Sequence, residues 1–246
     1  MTPSLSIAGL HAVEGPWSAG PREAIDWAAS LGFSSVHLDA AAPGLRARDL
    51  DRSARRDLAA TLRRNDLGFT GLDLWIPAEH YAEPATADRA AGALLGAIEL
   101  ASELNALCGG GLAVISTMLP EEAPESLTHA IAAKADQAGV AVEDFTPRET
   151  PTGLADTIRP GFDTAREIMR GGKPNKAFSR VASSLATLRL NDADDTGRKA
   201  LGKGRVEVAM IRALHETLAA STPVVTDLRG LADPAAGARA ALDAWG

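Results

Sequence analysis

The chain has 246 residues, 46 % of them hydrophobic, and a formal net charge of −7 at neutral pH. That is enough apolar material for a full core in one or two domains, and too acidic a surface for a duplex-DNA or anionic-membrane partner, which needs a basic face. A lone cysteine, Cys108, excludes an internal disulfide. With no signal-peptide pattern at the N-terminus and apolar runs short of the about 18 residues of a membrane helix, the expectation is a soluble, cytoplasmic protein.

Short β-type runs alternate with helical patterns along the chain. SLSIAG opens as a strand. A helix starts near Pro21, which suits a first turn, runs through Ile25 and Ala28, and ends at Gly32. VHLDA is the second strand. A helix carrying Leu58 and Leu62 on its apolar side stops before Gly68, and FTGLDLWI is the third strand. From Ala87 to Leu104 the pattern puts Leu94, Ile98 and Ala101 on one stripe, the spacing of a packed helix face. GLAVIST is the fourth strand, a helix follows from Pro120 to Ala138, and VAVEDF is the fifth. TIRPGFD is a weak sixth strand, because Pro160 cannot donate to a ladder. ATLRLN is the seventh, and it runs into a charged, glycine-punctuated loop, NDADDTGRKALGKGR. Met210, Ile211, Leu214 and Leu218 mark the next helix, PVVTDL is the eighth strand, and an alanine-rich helix ends at Trp245.

Eight strands alternating with helices over this length predict one domain, residues 1–246, folded as an α/β (β/α)8 TIM barrel. The rival is a doubly wound open sheet. It is weakened because SIAGLHAVEG after the first strand is not the G-x-G-x-x-G fingerprint of a dinucleotide site.

Side chains alternate along a strand, so parity tells which residues face the barrel axis. With Val36, Leu38, Leu72, Leu74, Val140, Val142, Leu188, Leu190, Val224 and Leu228 turned to the helices, the inward set is His37 and Asp39, Asp73 and Trp75, Glu143, Arg189 and Asn191, and Asp227. Asp163 closes the sixth strand. These polar positions gather at the C-terminal ends of the strands, where this fold carries its active site. Several carboxylates in a poorly solvated mouth repel one another unless a cation compensates them, and Arg189 stands among them. His11 and His80 are placed to reach the same mouth, whereas His129 and His215 fall on helices as surface residues. Lys173, Lys176 and Arg180 read as a solvated basic loop.

The order and spacing of GFSSVHLDA, the segment from Ala87 to Leu107, GVAVEDF, GFDTAREIMRGGKP, LATLRLND and GKGRVEV carry a resemblance. Over most of its length the chain resembles the xylose isomerase-like TIM-barrel superfamily of sugar isomerases and epimerases, which also contains AP-endonuclease-type proteins. The resemblance implies a divalent metal (Mn, Mg or Zn) held by acids on strands five, six and eight and a histidine on strand seven. Glu143 and Asp163 match the first two acids. Arg189 stands at the histidine's place, Asp227 at the last glutamate's, and Arg166 where a further histidine is common. An arginine has no lone pair to offer an ion. No metal ligand and no cofactor are therefore assigned, and Arg189 is expected either to replace the metal's charge by holding Glu143 and Asp227 ionised or, in a decayed member of the family, merely to neutralise the acidic cluster.

The functional expectation is an isomerase or epimerase of a small sugar or keto acid. Glu143 and Asp227 would move the proton next to a carbonyl, Arg189 would stabilise the oxyanion, and His37, Asp39, Asp73, Trp75, Asp163, Arg166 and Asn191 would bind substrate. The alternative is a catalytically inactive barrel that binds a small polar ligand or a protein partner. A nuclease is least favoured, because the histidines form no cluster and no groove is basic. No nucleic-acid or membrane partner is expected, and the oligomeric state stays open.

Overall fold

The β-branched and leucine-rich runs pair as parallel strands in a computed structural model that describes residues 2–147, 157–218 and 222–246. The barrel strands are β1 (Ser4–Ser6), β2 (Ser35–Asp39), β3 (Gly68–Leu74), β4 (Ala113–Thr117), β5 (Val140–Asp144), β6 (Ile158–Pro160) and β7 (Leu188–Arg189). A small antiparallel hairpin follows, β8 (Asp192–Asp194) with β9 (Gly197–Lys199), and then the last barrel strand, β10 (Val224–Asp227). The eight barrel strands lie in the order β6-β5-β4-β3-β2-β1-β10-β7. Between β6 and β7 the barrel closes on a single bridge, Asp163 to Arg189, in which the Arg189 N–H reaches the Phe162 carbonyl at 3.2 Å.

The helices are α1 (Pro21–Leu31), α2 (Arg52–Arg64), α3 (Glu79–Ala82), α4 (Ala87–Cys108), α5 (Glu125–Ala138), α6 (Thr164–Met169), α7 (Pro174–Val181), α8 (Val208–His215) and α9 (Pro234–Trp245). Asp51, Asp163 and Asp233 cap α2, α6 and α9 by accepting backbone N–H groups of the first turn. The outward strand residues and the inner helix faces pack into two clusters. One runs under β1 to β6 and includes Leu38, Leu72, Ile98, Ile115 and Ile158; the other lies under β7 and β10 and includes Phe162, Phe178, Leu188 and Val224.

Four expectations need correction. Helix α5 begins at Glu125 rather than Pro120, since Pro124 disfavours a helical residue before it. The basic segment after β6 is not a loop: Lys173 precedes α7, and Lys176 and Arg180 lie on its exposed side. His215 is buried, its Nε2 2.9 Å from the Thr222 carbonyl and its ring against Trp245. Helix α4 is, by length and composition, apolar enough to cross a membrane; here Leu94, Ile98, Ala101 and Leu104 are buried against the barrel.

The charged segment after β7 is also more ordered than a loop. Asp192 turns its carboxylate back and accepts N–H groups from Ala193, Gly202, Gly204 and Val206 at 2.8–2.9 Å. A Cβ on Gly204 would lie 2.3 Å from Asp192 Oδ1, so the glycine is what lets the chain wrap the acid.

Candidate functional site

Inward-facing polar side chains of several strands meet at the C-terminal end of the barrel. Arg189, at the end of β7, is fully buried and points across the axis. Its Nη2 donates to Asp73 Oδ1, and its Nη1 lies 3.4 Å from Asp227 Oδ2. The guanidinium sits 5.2 Å from the Trp75 ring centroid and 5.3 Å from that of Phe145, so two aromatic faces and two carboxylates enclose the cation. Asp73 takes a further hydrogen bond of 2.5 Å from the Ser6 hydroxyl.

Glu143 does something other than expected. It is fully buried, but no hydrogen bond joins it to Arg189 among the described residues. Its Oε1 accepts the backbone N–H groups of Ala186 (3.0 Å) and Thr187 (2.7 Å), and its Oε2 meets the Thr187 hydroxyl. These donors lie just before β7, where β6 makes no ladder with it. The carboxylate therefore closes the seam of the barrel. Burial pushes its pKa up; the Thr187 and Ala186 hydrogen bonds and the charge of Arg189 oppose that rise.

Asp227 is the most heavily paired acid. Arg229, two residues on, grips it through Nε at 3.0 and 2.9 Å and through Nη2. Arg198, from β9, lies 3.8 Å away. Burial alone would raise the Asp227 pKa. Arg229, then Arg198 and Arg189, overcome it and hold the carboxyl well below the usual range. Asp163 caps α6 with one oxygen and takes Asn191 Nδ2 (3.1 Å) and Arg198 Nη2 (2.5 Å) on the other. Asn191 in turn accepts the Asp227 N–H at 2.8 Å. Asp39 accepts from Gly9 and Ala41 and lies 3.3 Å from His11.

His37 is buried beside this network. The Thr70 hydroxyl donates to the Val36 carbonyl, so it accepts from His37 Nδ1 at 3.3 Å, which leaves Nε2 bare and 4.0 Å from Asp73. Burial lowers its pKa to about 4, with Arg189 adding to the shift and Asp73 opposing it. Gly71 makes room for the ring. A Cβ there would meet the Val114 carbonyl oxygen at 1.9 Å and His37 Cε1 at 2.6 Å, and its φ of 148° suits only glycine.

Sequence reasoning missed Arg198 and Arg229. Arg229 continues the inward parity of Val225 and Asp227 and was open to the same argument. Arg198 had no such signal, since its hairpin looked like a loop. Arg166 sits at the rim, donating to the Phe145 carbonyl and to Met118 Sδ rather than to an acid. Its pKa is held down by burial and by Arg170, Arg198 and Arg229, with Asp163 opposing. Positive groups thus crowd the rim of the mouth. Of the histidines placed there, His80 instead lines a separate cavity.

The donor set does not suit a divalent ion. Both Asp227 oxygens face Arg229, Asp163 is taken by Arg198 and Asn191, the Glu143 oxygens hold β7, and a guanidinium fills the space between Asp73 and Asp227. Among the described residues no three histidine, cysteine or acidic side chains form a group able to hold an ion.

No protein-family model and no curated protein sequence matches the chain. Solved structures do. A D-psicose 3-epimerase determined in the presence of D-fructose matches at 13 % identity with a TM-score of 0.70, over 99 % of this chain and 96 % of that one. A xylose isomerase-like TIM-barrel protein from Mycobacterium smegmatis in complex with magnesium matches at 12 % identity and 0.66, over 100 % and 98 %. The IOLI protein with a binding zinc atom matches at 12 % and 0.66, over 98 % and 95 %.

Proposed function

From the fold of the xylose isomerase-like TIM barrels, we propose that this chain is a single-domain barrel, residues 1–246, that binds a small sugar-like acid at its mouth, with guanidinium groups where magnesium- or zinc-holding barrels of this fold keep a metal. The observation that carries the reading is the convergence of Arg166, Arg198 and Arg229 over Asp163 and Asp227. A carboxylate or phosphate on the ligand would relieve the repulsion among the arginines through charge-assisted hydrogen bonds. With an acidic surface, the protein would act as a soluble, cytoplasmic one with neither nucleic acid nor membrane as partner.

The test is calorimetry with D-gluconate and D-glucuronate against D-fructose. The acids should bind and the neutral sugar bind more weakly, and Arg198→Ala should weaken the acids by about tenfold, the worth of one charge-assisted contact. Equal binding of acid and neutral sugar would reject the proposal.

A second reading, isomerisation or epimerisation by carboxylate proton transfer, is favoured by one observation. Glu143 is pushed up while Asp227 is pushed down, the divergence that separates an acid from a base. Against it, Glu143 is committed to the β7 backbone. Incubating candidate ketoses and keto acids with the protein in D2O decides the matter: this reading requires deuterium to enter the carbon next to the carbonyl.

A further inference from the structure

Outside the barrel mouth, the loops after β2 and β3 and one face of α4 enclose a cavity of about 720 Å³. That volume is in the range of small-molecule sites. Its floor is apolar, with Leu74, Ile76, Ala90 and Ala93 among its walls. Its charged lining is lopsided: Arg46, Arg48, Arg55 and Arg89 against one acid, Glu99, with His80 beside them.

Their existing partners show which charges are free. Arg55 is consumed by Glu103 at 2.9 Å and by the Leu50 and Ala47 carbonyls. Glu99 is taken by Lys134. Arg46 gives its Nε to the Ala41 carbonyl at 2.9 Å and Arg48 has only the exposed Asp49 beside it at 3.6 Å. Among the described residues, neither Arg46 nor Arg89 has an acid within ion-pair distance. The indole Nε1–H of Trp75, another wall, is buried without an acceptor.

The helix supplies an independent observation. Gly92 and Gly96, four residues apart on α4, both line the cavity. A glycine inside a helix costs about 1 kcal/mol against alanine. At Gly92 nothing lies within 4 Å of where a Cβ would stand, so close packing does not explain its small size. A larger residue at Gly92 would take up open space lining the cavity, whereas at Gly96 a Cβ would already stand 3.3 Å from the Ala47 Cβ.

We propose that this cavity is a binding site for a small organic phosphate with an apolar body. The apolar floor would take the body. Arg46, Arg48 and Arg89 offer several cationic donors, with the His80 imidazole beside them, more than a lone carboxylate uses and suited to the three oxygens of a phosphate monoester. The site is separate from the proposed sugar-acid site, and Trp75 stands between the two, with its ring stacked by Arg189 and Arg229 and forming one cavity wall.

The experiment is calorimetric titration of the full chain with phenyl phosphate, inorganic phosphate and phenol. The expected result is saturable binding of phenyl phosphate at least about tenfold tighter than of either fragment. Gly92→Leu, which fills the cavity and improves helix propensity, should abolish it, and Arg89→Glu, an exposed change, should weaken it by about tenfold or more. Arg198→Ala at the barrel mouth should leave it unchanged, which distinguishes failure here from failure of the sugar-acid reading. The proposal is overturned by absence of saturable phenyl phosphate binding, by binding that survives Gly92→Leu, or by binding lost with Arg198→Ala.

Discussion

The two sides of the barrel are held together differently. From β2 to β5 the strands are five to seven residues long and pair along their length, with one register shift at Val36/His37 between β2 and β3: β4 and β5 alone share five registered positions, Ala113–Val140 through Thr117–Asp144. At β6 and β7 the strands shrink to three and two residues, and the ladder between them is one bridge. There side chains do what backbone does elsewhere. Glu143 takes the N–H groups that a longer β6 would have taken, the Thr164 hydroxyl accepts the Asn191 N–H at 2.9 Å, and Asn191 accepts from Asp227. Polar inward residues at strand ends can thus be structural closure as well as chemistry, and only their partners tell which.

The largest effect is expected at the cation that joins both sides, Arg189. Arg189→Ala would strand Asp73 in a buried site while Asp227 keeps Arg229 and Arg198, and we expect a loss of about 3–5 kcal/mol at neutral pH, read from urea melts. The loss should shrink in acid, as the stranded carboxyl, raised by burial without its cation, takes up a proton. Stability equal to wild type at pH 8 would mean that Arg189 compensates nothing.

Next comes the seam. Glu143→Ala leaves two buried N–H groups and a hydroxyl without their acceptor, an expected cost of about 3–4 kcal/mol, with faster amide exchange at Ala186 and Thr187. The pH dependence has a definite sign. Because the folded pKa is raised, the stability Glu143 contributes is full below its unfolded pKa of about 4.3 and declines as pH rises through the folded value. Glu143→Gln should therefore compare better with wild type at pH 8 than at pH 4.

His37 tests the continuous side. Its folded pKa is depressed from 6.5 to about 4, so its contribution is present above the unfolded value and is lost as pH falls between the two. That difference corresponds to at most about 3 kcal/mol. His37→Gln should flatten the stability curve across this window; an unchanged slope would show that His37 does not stay neutral in the fold.

The smallest effect is expected where the ladder suffices. Ser116 faces inward from β4 with its hydroxyl buried and unbonded. Ser116→Ala should change stability by less than about 1 kcal/mol, and a larger loss would show that the ladder side also leans on its polar side chains.

Much of this was legible in the sequence. The period-two alternation in VHLDA, LDLW and VAVED placed His37, Asp39, Asp73, Trp75 and Glu143 correctly, because a strand packed on helices must turn every second residue to the axis. Arg229 obeyed the same rule and was overlooked. The role of Glu143 was not legible, since it depends on where β6 ends, and strand termination depends on tertiary packing. Nor was the position of Arg198, because DADDTGRK has the composition of a loop and becomes a hairpin with Asp192 gathering the N–H groups beyond it. The arginines of the outer cavity carry no signal in the sequence, since their meeting on one cavity depends on the loop after β2 and helices α2 and α4 packing together.

If guanidinium groups hold the place of a metal at this mouth, elemental analysis of the purified protein, after incubation with Mn, Mg and Zn and removal of the excess, should find little of any of them. Arg189 between Asp73 and Asp227 and Arg229 on Asp227 predict metal far below stoichiometric for each ion. About one tightly bound ion per chain, retained by wild type and lost with Asp227→Asn, would contradict it and require the arginines to swing away from a carboxylate shell.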